Sequence, residues 1–175
     1  ITVVPLKVIF SGEEALRDGV DILPEEFFRR QLEKREMSST SQPTPAEFAT
    51  VYSELAAGGH SIISIHISSV MSGTVQSARM AREMLPEADI EVVDSKLVSM
   101  GLGLVVLEAA RAAAEGKSRE EILGLVEKNL AQTKVYFVID TLEYLARGGR
   151  IGKAQAFLGT ILNIKPLLYL KDGTI

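Results

Sequence analysis

Apolar and polar positions along the chain alternate between two spacings, one typical of strands and one typical of helices. Short apolar runs such as SIISIHI at 61–67 and IEVVD at 90–94 indicate buried strands, and stretches with apolar residues at helical spacing lie between them. The run LVSMGLGLVVLEAARAAAEG at 97–116 is so apolar that we expect a helix buried on more than one side. Successive strand and helix units predict an α/β fold with a mostly parallel sheet and helices on both faces.

The starts of two helices are marked by the same pair of residue types. Thr44 with Glu47, and later Ser118 with Glu121, have the spacing of a capping box, in which side chains satisfy the first free amides of a helix. Another signal lies inside a helix. Gly101 and Gly103 interrupt the apolar helix at a cost of about 1 kcal/mol each relative to Ala, which predicts close contact with another element or a ligand.

The pattern changes character near Thr133. Beyond it come a strand VYFVI, a short helix TLEYLARGG, a helix KAQAFLGTILNI and a strand KPLLYLKDGTI that runs into an Asp-Gly hairpin turn. We therefore predict an α/β domain over residues 1–133 and the beginning of a second, α+β domain over 134–175. The chain opens without Met and stops just after a turn, so we expect segments to be missing at both ends.

Composition and charge exclude some classes of function and argue against others. The chain has 175 residues, 46% of them hydrophobic, and no Cys, which excludes disulfides, thiol nucleophiles and cysteine-bound metals. The net charge of −4 argues against nucleic-acid binding, which relies on Lys and Arg neutralising phosphates. Residues 134–175 carry 6 Lys and Arg against 3 Asp and Glu, an excess that could meet an acidic partner or a phosphorylated ligand, or reflect a solvated face. Without a membrane span or signal peptide in the sequence, we expect a soluble, cytoplasmic protein.

Small hydroxyl residues cluster where the strand SIISIHI ends. Ser69, Ser72, Gly73 and Thr74 come just before a helix. Ligands collect at this end of the strands in α/β sheets, and the free amides of a helix N-terminus favour an anion. A second hydroxyl-rich segment, SSTSQPTP at 38–45, also precedes a helix and could converge on the same anion. The alternative is that Ser72 or Thr74 only caps the helix.

Motifs that would make this loop catalytic do not occur in the sequence. Neither the phosphate-binding loop nor the dinucleotide-binding glycine pattern nor G-x-S-x-G is present, and no metal-ligand spacing such as H-E-x-x-H is found. His66 lies inside a strand, where we interpret it as a core residue rather than a catalytic base. Asp94 and Asp140 each end an apolar strand; they could orient a ligand, but we expect them to cap the next helix.

Four blocks of the sequence together resemble one known family. The blocks TSQPTPAEF, SIHISSVMSGTVQSAR, VVDSKLVSMGLGLVVLEAA and YFVIDTLEYLARGGRIGKAQAFLGTILNIKPLLYLKDG occur in the order found in the DegV family of bacterial fatty-acid-binding proteins. That family includes the lipid-binding subunits of bacterial fatty acid kinase. The resemblance covers residues 1–175. It implies an additional first strand with an Asp-Ser-Thr loop and a further C-terminal part with a head-group His, neither of which is in this sequence.

The resemblance also implies a ligand and the residues that hold it. The ligand is a long-chain fatty acid such as palmitate or oleate, with its tail in a tunnel between the two domains. A surface arginine near the head group, linked in the family to kinase engagement, is matched by Arg150. The carboxylate is held by loop positions that correspond here to Thr40, Ser41, Ser69, Ser72 and Gly73.

In that scheme the chain is a carrier with no catalytic residue, metal or cofactor of its own. It presents the fatty acid to a separate ATP-binding kinase subunit, which forms the acyl phosphate, and we expect no nucleic-acid partner and at most transient membrane contact. The alternative is a small-molecule α/β enzyme, a hydrolase or phosphotransferase, that uses the same anion-binding loop. Its turnover would depend on Ser72 and His66.

Overall fold

The computed structural model describes residues 1–10, 15–34, 38–158 and 165–175, which form three small sheets and the helices packed on them. The elements in chain order are β1 (Lys7–Ile9), β2 (Ala15–Arg17), α1 (Pro24–Lys34), β3 (Ser39–Ser41), α2 (Pro45–Ala57), β4 (Ile62–His66), α3 (Thr74–Glu83), β5 (Ile90–Asp94), α4 (Ser99–Ala114), α5 (Arg119–Gln132), β6 (Tyr136–Val138), α6 (Glu143–Arg147), a 3₁₀ helix (Gly152–Phe157) and β7 (Leu167–Tyr169).

The parallel pairing predicted from the sequence is found between β4 and β5. The two strands are in register from Ile62 opposite Ile90 to His66 opposite Asp94, and α3 is part of the crossover between them. Successive side chains of β4 point to opposite faces. Ile62 belongs to a core cluster with α2 and α3, whereas Ile63 packs against the cluster of α4 and α5. Helices therefore cover both faces of this pair, and the predicted α/β class is confirmed.

The apolar run VVPLKVIF at 3–10 does not join that parallel pair. β1 pairs antiparallel with β2 on one side and with β3 on the other. The composition of SSTSQPTP predicts a loop, but its residues Ser39–Ser41 form β3, with Thr40 opposite Val8. The loop prediction is wrong here because Val8 is buried and β1 offers backbone groups on both edges. Pairing with β1, rather than its own side chains, stabilises this short polar strand.

Both predicted capping boxes are confirmed. Thr44 accepts a hydrogen bond from the amide of Glu47, whose carboxylate accepts one from the amide of Thr44. Ser118 and Glu121 repeat the arrangement at the start of α5. These reciprocal bonds satisfy amides that would otherwise be free, so they fix the first residue of each helix.

Helix α4 makes a close contact through one glycine. A Cβ added to Gly101 would lie 2.4 Å from Cγ2 of Val135, nearer than real Cβ contacts come. The close approach of another element is therefore confirmed for Gly101. It is wrong for Gly103, where an added Cβ would meet only Met100 of the same helix, at 3.8 Å. The expectation that α4 is buried on more than one side is wrong for Met100 and Leu104, which are exposed. An apolar helix sequence does not by itself show which of its faces has a neighbour.

The substitution Gly101→Ala is expected to lower the free energy of unfolding by about 1 to 2 kcal/mol, because overpacking against Val135 outweighs the gain in helix propensity. The matched control is Gly124→Ala in α5, where nothing lies within 4 Å of the added Cβ. That substitution should raise the free energy of unfolding by up to about 1 kcal/mol. Urea unfolding of both variants measures the two signs, and stabilisation of both would contradict the packing at Gly101.

The second segment follows its sequence prediction where the structure describes it. β6 and β7 pair antiparallel. Asp172 and Gly173 have φ values of +52° and +85°, as the predicted hairpin turn requires. The helix predicted for KAQAFLGTILNI is a 3₁₀ helix over Gly152–Phe157, and residues 159–164 lie outside the described residues. The domain boundary near Thr133 stays a prediction.

Candidate functional site

The serine loop, residues 68–73, lies where β4 and β5 end side by side. It follows β4, while residues 95–98 follow β5. A backbone hydrogen bond of 2.9 Å from Ser68 to Leu97 joins the two segments. This is the sheet edge at which ligands collect in α/β folds, as expected from the sequence.

The end of the serine loop leaves the start of α3 without a side-chain cap. The N-cap residue is Gly73, and the hydroxyls of Ser72 and Thr74 bond to each other at 2.8 Å instead of to the helix amides. The alternative that Ser72 or Thr74 caps α3 is therefore wrong, because each hydroxyl has the other as its partner. The first amides of the helix stay available to an outside acceptor, and the helix dipole makes an anion the favoured one.

The second hydroxyl-rich segment reaches this helix start through Gln42. A Cβ added to Gly73 would lie 2.4 Å from Nε2 of Gln42, so this side chain occupies the space that the glycine leaves open. The side-chain amide of Gln42 forms no hydrogen bond with the described residues. Thr40 and Ser41, the predicted carboxylate contacts, are exposed on β3, and within the described ranges neither bonds to the serine loop. The two segments thus converge, with Gln42 at the point of contact.

Ser69 is tied to a carboxylate of the neighbouring loop. Its hydroxyl donates to Oδ2 of Asp94 at 2.5 Å, and its amide donates to Oδ1 at 3.1 Å. Partial burial of Asp94 opposes ionisation, but the hydrogen bonds from Ser69 and from the amide of Lys96 outweigh it and hold the pKa of this carboxyl below its usual value. The proton of the Ser69 hydroxyl is therefore engaged by an ionised aspartate.

Neither aspartate at a strand end caps the following helix, contrary to the expectation. The N-cap residues of α4 and α6 are Val98 and Leu142. Asp94 lies four residues and Asp140 two residues before the N-cap position, and both carboxylates have other donors. Asp94 holds Ser69, and Oδ1 of Asp140 pairs with Nζ of Lys165 at 2.6 Å.

Arg150 brings positive charge from the second segment to the serine loop. Its Nε donates to the carbonyl of Met71 at 3.1 Å, and its Nη1 donates to the carbonyl of Gly148 at 2.5 Å. The side chain is exposed. The arginine that the sequence resemblance indicates near the head group thus lies directly on the loop that carries Ser72 and Gly73.

His66 lies in a separate polar cluster beneath the loop. Its Nε2 hydrogen-bonds to the hydroxyl of Ser64 at 2.8 Å, and that hydroxyl accepts from Tyr52 at 2.7 Å. The ring packs edge-on against Phe48. Burial lowers the pKa of His66 to about 4, although the charge of Asp94 opposes this shift. His66 is therefore a neutral core residue, and its Nε2 is bonded to Ser64 rather than to Ser72, which argues against the hydrolase alternative.

A cavity of about 910 Å³ runs along the outer edge of β4. Eight consecutive residues, 60–67, line it, so it borders the strand edge rather than one face of the sheet. Within the described ranges, β4 pairs only with β5, on the opposite edge. Every lining residue falls in residues 1–122, which places the cavity inside the predicted first domain and away from its junction with the second segment.

Two residues that shape the candidate site, Gln42 and Ser68, could not be recognised from the sequence alone. Gln42 stands in the quoted TSQP segment, but its contact with Gly73 depends on how two loops fold together. Ser68 is completely buried, and its hydroxyl donates to the carbonyl of Gly173 at 2.7 Å across 105 positions of the chain. A serine run in a loop gives no sign that one member is buried and bonded to a distant turn.

Comparison with known proteins identifies the family of this chain. Its fold is that of an α/β protein whose serine loop leads into an uncapped helix start. The sequence profile described as "Uncharacterised protein, DegV family" matches residues 1–175. A DegV domain-containing protein of Caldanaerobacter subterraneus is 42% identical over 175 residues, and one of Deinococcus radiodurans is 41% identical over 175 residues. The chain belongs to the DegV family, and it spans 62% of the length of these curated relatives.

Solved structures of this fold include proteins described as binding fatty acids. One is a DegV family protein from Thermus thermophilus, described for its fatty acid binding, with 44% identity and a TM-score of 0.88 over 97% of this chain and 60% of that chain. Another is a stearic acid-binding protein from Eubacterium ventriosum, with 32% identity and a TM-score of 0.89 over 99% and 61%. A third is DegV of Bacillus subtilis, a fatty acid binding protein with 35% identity and a TM-score of 0.87 over 98% and 61%.

No group of three or more His, Asp or Glu side chains in the described part of the chain is arranged to hold a metal ion. None of the helices in it combines the length and the apolar character needed to cross a membrane.

Proposed function

We propose that the protein of which this chain is part binds a long-chain fatty acid, such as palmitate or oleate. The carboxylate lies at the start of α3, within reach of Ser72, the amides after Gly73, and the segment of Thr40 and Ser41. The observation that carries the proposal is the uncapped helix start, where two hydroxyls and Gln42 surround free amides next to Arg150. The fatty-acid binding described for the Thermus thermophilus and Eubacterium ventriosum proteins supports the choice of ligand.

Ser69 supports this head-group site through the loop that it holds, by bonding to Asp94. Because its hydroxyl proton is donated to Asp94, it does not act as the main donor to the carboxylate. Ser72 is better placed for that role, since its partner Thr74 can take either side of their shared hydrogen bond. Neutral hydroxyls and amides bind a carboxylate more weakly than a bidentate arginine does, which leaves one oxygen free to react.

The affinity comes from the tail. Burying about fourteen methylenes at ~0.8 kcal/mol each is worth roughly 11 kcal/mol before the costs of association. We place the tail between the two predicted domains, because the serine loop is bonded there to Arg150 and Gly173 of the second segment. Large apolar side chains are exposed on one face of the β6–β7 sheet and could form the wall of such a tunnel, namely Tyr136, Val138, Leu167 and Tyr169.

The cavity along β4 has a different occupant in this proposal. An unpaired strand edge presents free backbone donors and acceptors, which another strand satisfies best. We assign the cavity to the additional first strand that the family resemblance implies, completing the sheet of the domain at residues 1–133. The tail site and this slot are therefore distinct.

The chain acts as a carrier and not as an enzyme. It presents the bound carboxylate to a separate ATP-dependent kinase subunit, which phosphorylates it. The bonding of His66 to Ser64 supports this choice, because this histidine is not available as a base for Ser72. Titration calorimetry of the full-length protein with oleate tests the proposal: saturable binding of about one oleate per chain with no turnover supports it. Absence of binding, or ester hydrolysis that depends on Ser72, would overturn it.

Replacement of Arg150 by Ala is expected to impair transfer to the kinase more than lipid binding. An exposed charge contributes only about 0 to 1 kcal/mol to a neighbouring ion pair, so oleate affinity should fall less than about fivefold. Acyl-phosphate formation by the kinase should fall by about tenfold or more, because surface charge steers the encounter of partners. Arg147→Ala in α6 removes a neighbouring exposed charge that pairs with Glu143 and serves as the control. The opposite order of the two losses would contradict a surface role for Arg150.

A further inference from the structure

Ser68 is the residue around which the serine loop folds. Its amide donates to the carbonyl of Leu97, and its carbonyl accepts the amides of Met71 at 3.0 Å and Ser72 at 3.1 Å. Its hydroxyl accepts the amide of Val70 at 3.2 Å. The side chain has no exposed surface, so it cannot touch a ligand itself. The path of the backbone from Val70 to Ser72 nevertheless depends on it.

The same hydroxyl connects the loop to the turn near the end of the second segment. It donates to the carbonyl of Gly173 at 2.7 Å. A Cβ on Gly173 would lie 2.5 Å from this oxygen and 3.3 Å from Cγ2 of Val70, and φ of Gly173 is +85°. Only glycine combines that conformation with so close an approach. The turn at Asp172 and Gly173 is thus seated directly against the loop.

We propose that Ser68 is a positioning residue that couples the seating of the 171–174 turn to the geometry of the head-group loop. The inference rests on the proposed function and deepens it. The Ser68 hydroxyl accepts a hydrogen bond from the amide of Val70 in the loop and donates one to the carbonyl of Gly173 in the turn. Displacement of the turn leaves this hydroxyl without its acceptor, and the bond that orders Val70 is then lost. The loop then no longer presents Ser72 and the helix amides in fixed positions. Affinity for the carboxylate falls, while contacts to the tail are unaffected.

The test compares oleate with oleyl alcohol, which shares the tail but lacks the carboxylate. In the full-length protein, Ser68→Ala is expected to lower oleate affinity by about five- to tenfold, the worth of one buried hydrogen bond, and oleyl alcohol affinity by less than about twofold. Ser118→Ala is the matched control. It removes a serine that holds the start of α5, so it lowers thermal stability without touching the loop. Equal losses of both ligands in Ser68→Ala would overturn the inference.

Amide hydrogen exchange in the ligand-free protein separates this inference from the proposed function. Both Ser68→Ala and Gly173→Ala should speed exchange at the amides of Met71 and Ser72, although Gly173 lies about a hundred positions away. Unchanged exchange in Gly173→Ala would overturn the coupling whatever the ligand is. Faster exchange in a protein that binds no oleate would support the coupling and overturn the fatty-acid function. If Ser68→Ala does not fold, Ser68→Cys, which keeps a weak donor, gives the same comparison.

Discussion

Replacing Ser72 by Asp is expected to abolish most oleate binding while leaving the protein at least as stable as before. The substitution puts a second carboxylate where the fatty-acid carboxylate binds. Two like charges about 4 Å apart repel by roughly 1 kcal/mol in fully solvated surroundings and roughly 4 kcal/mol in partly buried ones, so affinity should fall about 5- to 1000-fold. Stability should not fall, because a negative charge beside the start of α3 interacts favourably with the helix dipole, by about 0.3 to 1 kcal/mol.

The opposite directions of these two effects make the experiment specific. A residue that mattered only for folding would lose binding and stability together. Ser118→Asp is the control, because it places the same charge at the start of α5, away from the serine loop, where Asp is also a good N-cap. Calorimetric titration and thermal melting of the two variants measure both quantities. Unchanged oleate affinity in Ser72→Asp would contradict the placement of the carboxylate.

The second large effect expected is a loss of stability between neutral and mildly acidic pH that comes from His66. Burial holds the folded-state pKa of His66 at about 4, below the ordinary value of 6.5. The unfolded state therefore binds a proton that the folded state does not over this interval. Stability is fully present above pH 6.5 and falls as the pH drops towards 4, by about 2 to 3 kcal/mol at pH 4.5.

Carboxylates that pair with arginines lose their contribution to stability at a lower pH than His66 does. Hydrogen bonds from Arg17 lower the pKa of Asp21 to about 2, and those from Arg29 and Arg30 lower the pKa of Glu26 to about 2. Their contribution is present above the ordinary carboxyl pKa values of 3.8 and 4.5 and is lost progressively as the pH falls through and below these values. Urea unfolding at several pH values between 7.5 and 4.5 therefore isolates His66. His66→Gln should flatten this dependence, and an unchanged pH slope in that variant would contradict a buried, neutral histidine.

Local signals in the sequence account for most of the elements that it predicts correctly. The capping boxes at Thr44 and Ser118 depend on residues three positions apart, and the apolar runs of β4 and β5 are buried or half-buried along their length. Strand pairing is not local. Nothing in residues 39–41 distinguishes a loop from an edge strand until β1 lies beside them, so the antiparallel sheet β2-β1-β3 was not predicted.

The same distinction between local signals and contacts distant in sequence applies to the residues of the candidate site. Ser72 and Gly73 stand out in the sequence because hydroxyls and a glycine directly precede a helix. Ser68 and Gln42 do not, since their partners Gly173 and Gly73 lie far along the chain. The bonding of Ser69 to Asp94 was also beyond prediction, because it follows from the parallel register of β4 and β5. Contacts between loops depend on the order of the strands in the sheet. The pattern of apolar and polar residues along the chain does not specify that order.

Mass spectrometry of lipid extracted from the purified full-length protein tests fatty-acid carriage most directly. A carrier whose affinity comes from a buried tail should retain its ligand through purification, since several kcal/mol of tail burial remain after the costs of association. We expect about one long-chain fatty acid per protein chain, and much less from Ser72→Asp prepared in parallel. Extracts without fatty acid, from a protein that also fails to take up added oleate, would contradict the function proposed for this chain.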